Sequence, residues 1–509
     1  MSFNRRPTCL SSLFHEILYV SVLSCAQLLT QAALGNVLLP LKAIGDDIGI
    51  INQAELPWTL AAYSLTVGVF IMITGRLGDV FGHKLLVILG FLMFSIFSFF
   101  TGVTGFIKNG IYFHIMRAFQ GIGPTMLLPN AVALLARAYP MGLRKSIVFS
   151  IFGATAPAGF ILGAVFGSLF AKYTGWAWAH FSLAIFCYLL AILAYLVVPH
   201  ELSPAVHPTG KIDIVGAFFG VTGLILFIYC WNEGPVAGWD KPYVYGVLPV
   251  SIVIFVIFIF VEMKTNEPIM PLSMWSVPGF PGVLACMALG WSSFGIFIYY
   301  IVQFLENIRQ TTPLVTTAML TPLVIFGFVA TIAVSQLYGR VPAHYLLMAS
   351  MIFFCIGNIL VAAAPPDKTY WGLYVATILT PFGMDISFPA ASLVISNRMP
   401  QHQQGVAASM LNTAINWSIS LGLGIAGTIE SEMAKHEKSQ LDRYRAALYA
   451  GIVLSGLGIL VALIFCRVPK VPLNPPIPNY EEQNNRDDLS NSISSNDLET
   501  IINNDYESE

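Results

Sequence analysis

The sequence predicts an all-α integral membrane protein with 14 transmembrane helices, arranged as two six-helix halves plus two extra helices. Three observations predict this. The chain has 509 residues, of which 56% are hydrophobic and only 10% charged, whereas a soluble domain carries about 25% charged residues. The apolar residues come in blocks such as "LLVILGFLMFSIFSFFTGV" (85–103) and "VLPVSIVIFVIFIFVEM" (247–263), and roughly 20 such residues make one bilayer-crossing helix. A short pattern in the first half also returns, worn, in the second.

Taken in order, the spans are expected at about 15–41, 57–74, 85–106, 111–136, 146–170 and 177–198, then 212–232 and 243–263. The last six are expected at about 279–304, 313–337, 343–364, 371–397, 404–429 and 446–466. The organisation that follows is a cytoplasmic tail (1–14), a first half (15–198), an insert of two extra helices with their loops (199–278), a second half (279–467) and a tail (468–509). That last tail is rich in Asn, Ser and acids and is expected to be disordered and cytoplasmic. With the N-terminus inside, Lys and Arg number 13 on the inner side and ten on the outer side, the expected bias. The stretch 430–445 is read as a charged outer loop.

The repeat pairs "GRLGDVFGHKLL" (75–86) with "SQLYGRVPAHYL" (335–346), so that Leu77 meets Leu337, Gly82 meets Pro342 and Lys84 meets His344. Parallel repeats of this kind characterise transporters. In the first copy, Gly75 and Gly82 allow close backbone approach. Asp79 is placed to accept from a helix N-terminus or to pair with a base across an interface, which makes a breakable latch with Lys84. An ordinary tight, basic loop is the plainer reading of the same residues.

"GRLGDVFGHK" resembles the cytoplasmic-loop signature of the major facilitator superfamily, and "RAFQGIGPTMLLPNA" (117–131) resembles its fourth-helix motif. "GATAPAGFILGAVFG" (153–167) resembles the glycine–proline motif of helix five in the antiporter branch. It holds Gly153 and Pro157, and Gly159, Gly163 and Gly167 fall at every fourth position, the spacing of a close helix contact. Fourteen spans, "EGPVAGW" (233–239) and "EPIMPLSMW" (267–275) resemble the fourteen-helix drug:proton antiporters. "GMDISFPAASLVISNRMPQHQQGVAASMLNTAINWSISLGLGIAGT" (383–428) resembles the fungal aminotriazole and boron resistance transporters and their low-affinity ammonium transporter relatives.

The resemblance implies that spans 1, 4, 9 and 12 line a central cavity. Those spans carry polar side chains that are costly in a bilayer unless they face protein or water: Gln27, Gln31 and Asn36, then Arg117, Gln120 and Asn130, then Tyr299, Tyr300 and Gln303, then Asp385. Each amide has a plainer reading as glue between helices. Arg117 is linked in the family to proton transfer, and a structural arginine bound to backbone carbonyls is the alternative. Asp385 is the single charge in the 27 residues from Trp371 to Asn397 and is read as the only acid deep in any span. A bilayer core penalises an ionised carboxylate, so Asp385 is placed to carry a proton or hold a cation. A structural ion pair is the alternative. Pro381 and Pro389 on either side are expected to bend its helix. Related antiporters carry an acid where "TQAALGNVLLP" has Gln31, so coupling through span 1 is not expected here.

These readings predict a secondary transporter, not an enzyme, moving a small polar solute or toxin (an azole-like compound, boric acid or ammonium) by alternating access with proton-coupled export. An uncoupled low-affinity ammonium facilitator and a transporter-like nutrient sensor signalling through its tail remain as alternatives. The expected partners are the solute, protons and the lipid bilayer, with no nucleic acid, and the chain is expected to be a monomer in the plasma membrane or, second, the vacuolar membrane. The seven cysteines form no C-x-x-C pair and are read as packing residues. No metal or cofactor is expected.

Overall fold

A computed structural model describes residues 7, 9–139, 143–203, 213–265, 268–337, 340–367, 371–399 and 403–466. The tail at 468–509, half of the N-terminal tail and Gly339 of the second repeat copy lie outside them. The regular structure among the described residues is helical, mainly α with short 3-10 turns and one π-helical turn. The first half holds α1 (Leu13–Leu38), the short α2 (Leu41–Asp47), α3 (Trp58–Phe81), α4 (His83–Ile107), α5 (Gly110–Gln120), α6 (Ile122–Ala138), α7 (Leu143–Tyr173) and α8 (Ala177–Val197). The insert holds α9 (Ile214–Ala237), the short α10 (Pro242–Tyr245) and α11 (Val247–Lys264). The second half holds α12 (Phe280–Gln303), α13 (Pro313–Leu320), α14 (Pro322–Leu337), α15 (Ala343–Ala362), α16 (Trp371–Arg398), α17 (Gln404–Lys435) and α18 (Gln440–Phe465). Twelve helical segments among the described residues are long and apolar enough to cross a bilayer, with α5–α6 and α13–α14 each counting once. Helices α16 and α17 are equally long, at 28 and 32 residues, but more polar.

Local chemistry explains where the helices differ from the sequence expectation. The fourth span is broken at Gly121, because Pro124 has no N–H for the Gln120 carbonyl and its ring crowds it. Pro322 divides α13 from α14 in the same way. Helix α16 nevertheless runs unbroken through Pro381 and Pro389. The segment "GRLGDVF" is not a turn: it is the last two turns of α3, and only Gly82, at φ +92°, leaves the helix. The expected loop at 430–445 shrinks to 436–439, since α17 continues to Lys435 and α18 starts at Gln440.

The two halves repeat one set of contacts. Helix α1 lies along α7 as α12 lies along α17, and α4 lies on α8 as α15 lies on α18. Gly82 caps the start of α4 and Pro342 caps the start of α15, so the faint repeat marks equivalent places. The glycine stripe accounts for the α1–α7 contact. A Cβ on Gly159 would lie 2.1 Å from the Leu28 carbonyl oxygen, one on Gly163 2.1 Å from that of Ala32, and one on Gly167 2.6 Å from that of Asn36. The two backbones therefore touch at three successive turns. Gly153 points away from this contact and meets nothing within 4 Å.

Side chains are shared unevenly along the molecule. Call the end with Leu13, Phe81 and Leu143 the near end. At the far end, Leu38, Ile44, Leu60 and Trp176 of the first half join Tyr299, Tyr300, Leu320 and Leu423 of the second in one apolar core. At the near end each half has its own core, one around Tyr19, Phe91 and Leu134, the other around Phe280, Leu347 and Met410. The halves are thus sealed together at the far end, while their near-end cores are separate. On one flank, α9 lies against both α3 and α17, and α11 lies on α9.

Gly163→Leu is expected to separate α1 from α7 and to destabilise the protein by roughly 1–3 kcal/mol or more, the usual cost of overpacking. Gly153→Leu should leave stability unchanged. Thermal melts of the two purified variants check this, and equal melting temperatures would refute the contact.

Candidate functional site

Arg117 is fully buried inside the first half. Its Nε–H donates to the Thr59 carbonyl at 3.1 Å, its Nη1 donates to Gln120 Oε1 at 2.5 Å, and its guanidinium lies 4.5 Å from the centre of the Tyr63 ring. Gln120 passes the link on, donating to Ser98 Oγ at 2.7 Å. Arg117 and Gln120 therefore tie α5 to α3 and α4 and do not border open space. The bond to the Thr59 carbonyl is of the kind a structural arginine makes, while Nη2 is buried and has no hydrogen-bond partner among the described residues. Asn36 is also buried, its backbone against Gly167 and its Oδ1 without a partner, whereas Gln27 and Gln31 are only half-buried.

Asp385 occupies a different kind of place. A Cβ on Gly327 of α14 would lie 3.0 Å from Asp385 Oδ2 and 3.2 Å from Pro157 Cγ of α7. The carboxylate thus sits where a first-half helix meets two second-half helices. Oδ2 is buried and accepts no hydrogen bond from the described residues. Pro389, four residues on, has no N–H to donate to the Asp385 carbonyl. Pro157 of the glycine–proline motif faces this spot, and Gly159, Gly163 and Gly167 face α1.

Tyr300 and Gln303 lie elsewhere, in the sealed far end. The Tyr300 hydroxyl donates to Glu430 Oε2 at 2.7 Å, and Asn307 Nδ2 donates to Gln303 Oε1 at 2.6 Å and to the Tyr444 hydroxyl at 3.0 Å. A cavity of about 100 Å³ opens there, bordered by Lys42, Asp46, Tyr299, Gln303, Asn307 and Glu430 among others. Glu306 follows in a π-helical turn, Phe304–Ile308, with 9% exposure and an unpartnered Oε1. Such turns often occur at functional sites. Glu306 is thus a second buried acid, at the end of its span rather than deep within it. The expectation missed Glu306 and Glu430 because both stand at span ends, where hydropathy falls although the helix continues. The i, i+4 pair Gln303/Asn307 was the available signal. Hydrogen bonds between described residues of the two halves include Ser168 Oγ to Thr317 Oγ1 at 3.1 Å and Ser420 Oγ donating to the Ala61 carbonyl at 2.9 Å.

At the near end, Asp79 Oδ1 lies 3.6 Å from His83 Nε2 and 3.9 Å from Arg137 Nη2. Both bases belong to the first half, so the carboxylate does not bridge the halves in this conformation. Gly82 and Lys84 hold the segment after α8: a Cβ on Gly82 would meet the Ser203 carbonyl at 2.8 Å, and the Lys84 N–H donates to Ser203 Oγ at 2.8 Å. Of these four residues Gly75 faces the other half: a Cβ there would lie 3.1 Å from Ser409 Oγ on α17. Beside them, Glu16 accepts from Arg144 Nε at 2.8 Å and from the Tyr139 hydroxyl at 3.0 Å. Burial, reinforced by the Glu16 carboxylate, pushes the Tyr139 phenol above its ordinary range and keeps it a donor.

Residues 23–423 match the Major Facilitator Superfamily profile. The chain is 46% identical to the low affinity ammonium transporter of Saccharomyces cerevisiae, over 89% of each chain. It is 40% identical to the efflux pump terJ of Aspergillus terreus, over 91% of this chain and 89% of the other. It is 33% identical to the aminotriazole resistance protein of Saccharomyces cerevisiae, over 91% and 86%. Among solved structures, the human organic anion transporter MFSD10 superposes with a TM-score of 0.58 at 14% identity, over 88% of this chain and 99% of that one. That likeness is one of fold.

Two outcomes follow from the geometry. With the native cysteines replaced, Ser168→Cys and Thr317→Cys should form a disulfide, since their hydroxyls are already 3.1 Å apart. Oxidation should then stop solute flux and reduction should restore it; unchanged flux in the oxidised protein would mean the far-end seal need not open. Asp79→Asn should lower flux about 5-fold or more at equal surface amount, the effect of removing roughly 1 kcal/mol from one end state. Parental flux in that variant would leave Asp79 with no part in the conformational change.

Proposed function

Because the chain belongs to the major facilitator superfamily, we propose that it is a secondary transporter of a small polar solute, working by alternating access with protons coupled through Asp385. The observation that carries this reading is the unpartnered Asp385 carboxylate at the contact of Pro157, Gly327 and α16. Contacts at that place must change when the halves rock, so the environment of the carboxylate changes with them. A carboxylate that alternates between apolar and wet surroundings takes up and releases a proton. The sealed far end and separate near-end cores suit one end state of such a cycle. Helices α16 and α17 cross the membrane with the other twelve, giving fourteen spans with both termini cytoplasmic, the near end inside, and the plasma membrane as the site.

Ammonium, a small azole-like toxin and boric acid are the candidate solutes, with export as the direction. The ammonium transporter among the relatives favours the first and the efflux pump the direction. A second reading, an uncoupled ammonium facilitator, draws on Gln31, which stands on α1 where the related antiporters carry an acid.

Asp385→Asn mimics the protonated carboxyl and cannot titrate. In proteoliposomes it should abolish the response of solute flux to an imposed pH gradient while leaving solute binding within about 3-fold of the parent. Asp385→Glu should keep part of the response. A gradient response equal to the parent's in the Asn variant would make Asp385 structural, and a parent that ignores the gradient would establish the facilitator.

A further inference from the structure

The two extra helices meet at the near end in a pair of carboxylates with no part in the transport scheme. Asp213 caps α9, its Oδ1 accepting from the Gly216 N–H at 2.8 Å. Glu262, in the last turn of α11, is 3% exposed, and its Oε2 accepts from the Met270 N–H at 2.8 Å. Met270 belongs to the segment that leads into α12. The remaining oxygens, Asp213 Oδ2 and Glu262 Oε1, are both buried and both without a hydrogen bond from the described residues. They converge over Gly216: a Cβ there would lie 2.3 Å from Asp213 Oδ2 and 2.8 Å from Glu262 Oε1. Only a residue without a side chain leaves room for that approach.

No described Lys, Arg or His is ion-paired with either carboxylate. Of the elements packed there, α9 contributes Asp213, α11 contributes Glu262 and the exposed Lys264 at its end, and residues 268–279 contribute no titratable group. Lys211 lies outside the described residues. Two ionised carboxylates whose free oxygens both lie against Gly216, out of water, repel each other and forgo hydration. One proton between them converts repulsion into a charge-assisted O–H···O⁻ bond.

We propose that Asp213 and Glu262 share one proton, forming a proton-binding clasp that fixes the insert to the entry of the second half. The clasp is separate from Asp385 and does not depend on what the protein carries. With the proton bound, α9, α11 and the Met270 segment are held together. Loss of the proton loosens them, and α9 transmits the change to α3 and α17, against which it lies. The near-end compartment's acidity then regulates how freely the halves move.

The test uses the full chain purified in detergent. The native state holds a proton that the unfolded chain has released, so stability falls as pH rises. The parent should lose roughly 2–4 °C of melting temperature through this pair as pH rises from about 5, just above the ordinary carboxylate range, through neutrality. Glu262→Gln, an amide mimic of the protonated acid, should remove that loss. Asp213→Asn, which keeps a good N-cap, should do the same. Infrared spectra of the parent should show a buried protonated-carboxyl band that both variants lack. Retention of the band and of the parent's pH slope in both variants would overturn the proposal. So would removal of the slope by Lys211→Gln alone, which would make a lysine the counter-charge. Rescue of the parent at high pH by added sodium or calcium, absent in Glu262→Gln, would replace the proton with a metal cation and overturn it equally.

Discussion

Helices in a bilayer gain little from burying apolar surface against one another, because lipid is as apolar as leucine. What holds this molecule together is close backbone approach, and glycine permits it. Gly159, Gly163 and Gly167 set α7 directly on the carbonyls of Leu28, Ala32 and Asn36. The second half repeats the device with Gly422 of α17, whose Cβ would lie 2.4 Å from the Ser292 carbonyl of α12. Between the halves, a Cβ on Gly68 of α3 would lie 2.7 Å from the Trp417 nitrogen of α17. Within each half the contacts are long and register-specific. Between the halves they are fewer, supplemented by single hydroxyls such as Ser168 and Ser420.

This division places Asp385. Asp385 lies at the joint between the halves beside α7, where Gly327 and Pro157 border its carboxylate. Arg117 lies inside one block, with two of its donors and its π face engaged by α3 and α5. Its charge stiffens the first half and does not meet the second. The far-end cavity joins both kinds of element, with Lys42 and Asp46 from one half facing Gln303, Asn307 and Glu430 from the other.

Much of this was legible in the sequence for a physical reason. Glycines at every fourth position have one economical use in a lipid-embedded helix, and the structure uses all three of that stripe. Gly82 and Pro342 were legible as matched breaks because neither residue continues a helix easily. The ends of spans were not legible. Hydropathy reports where the lipid stops, and α3, α17 and the turn at Glu306 continue as helix beyond that level, so Asp79 and Glu430 looked like loop residues. The role of Arg117 was open because a buried cation has the same sequence signature whether it meets a carbonyl or a proton path. Asp213 and Glu262, 49 positions apart in the sequence, meet only because α9 and α11 lie side by side, which no local pattern announces.

The position of α9 makes the two seams between the halves unequal. The seam between α3 and α17 is roofed by α9, which touches both walls, while the seam between α7 and α13–α14 has no such cover among the described residues. A molecule dissolved in the lipid therefore meets one shuttered flank and one bare one. If the halves part along these seams, as the proposed cycle requires, the two flanks do not open alike: the side beside Pro157 and Gly327 lacks the cover that α9 gives the other.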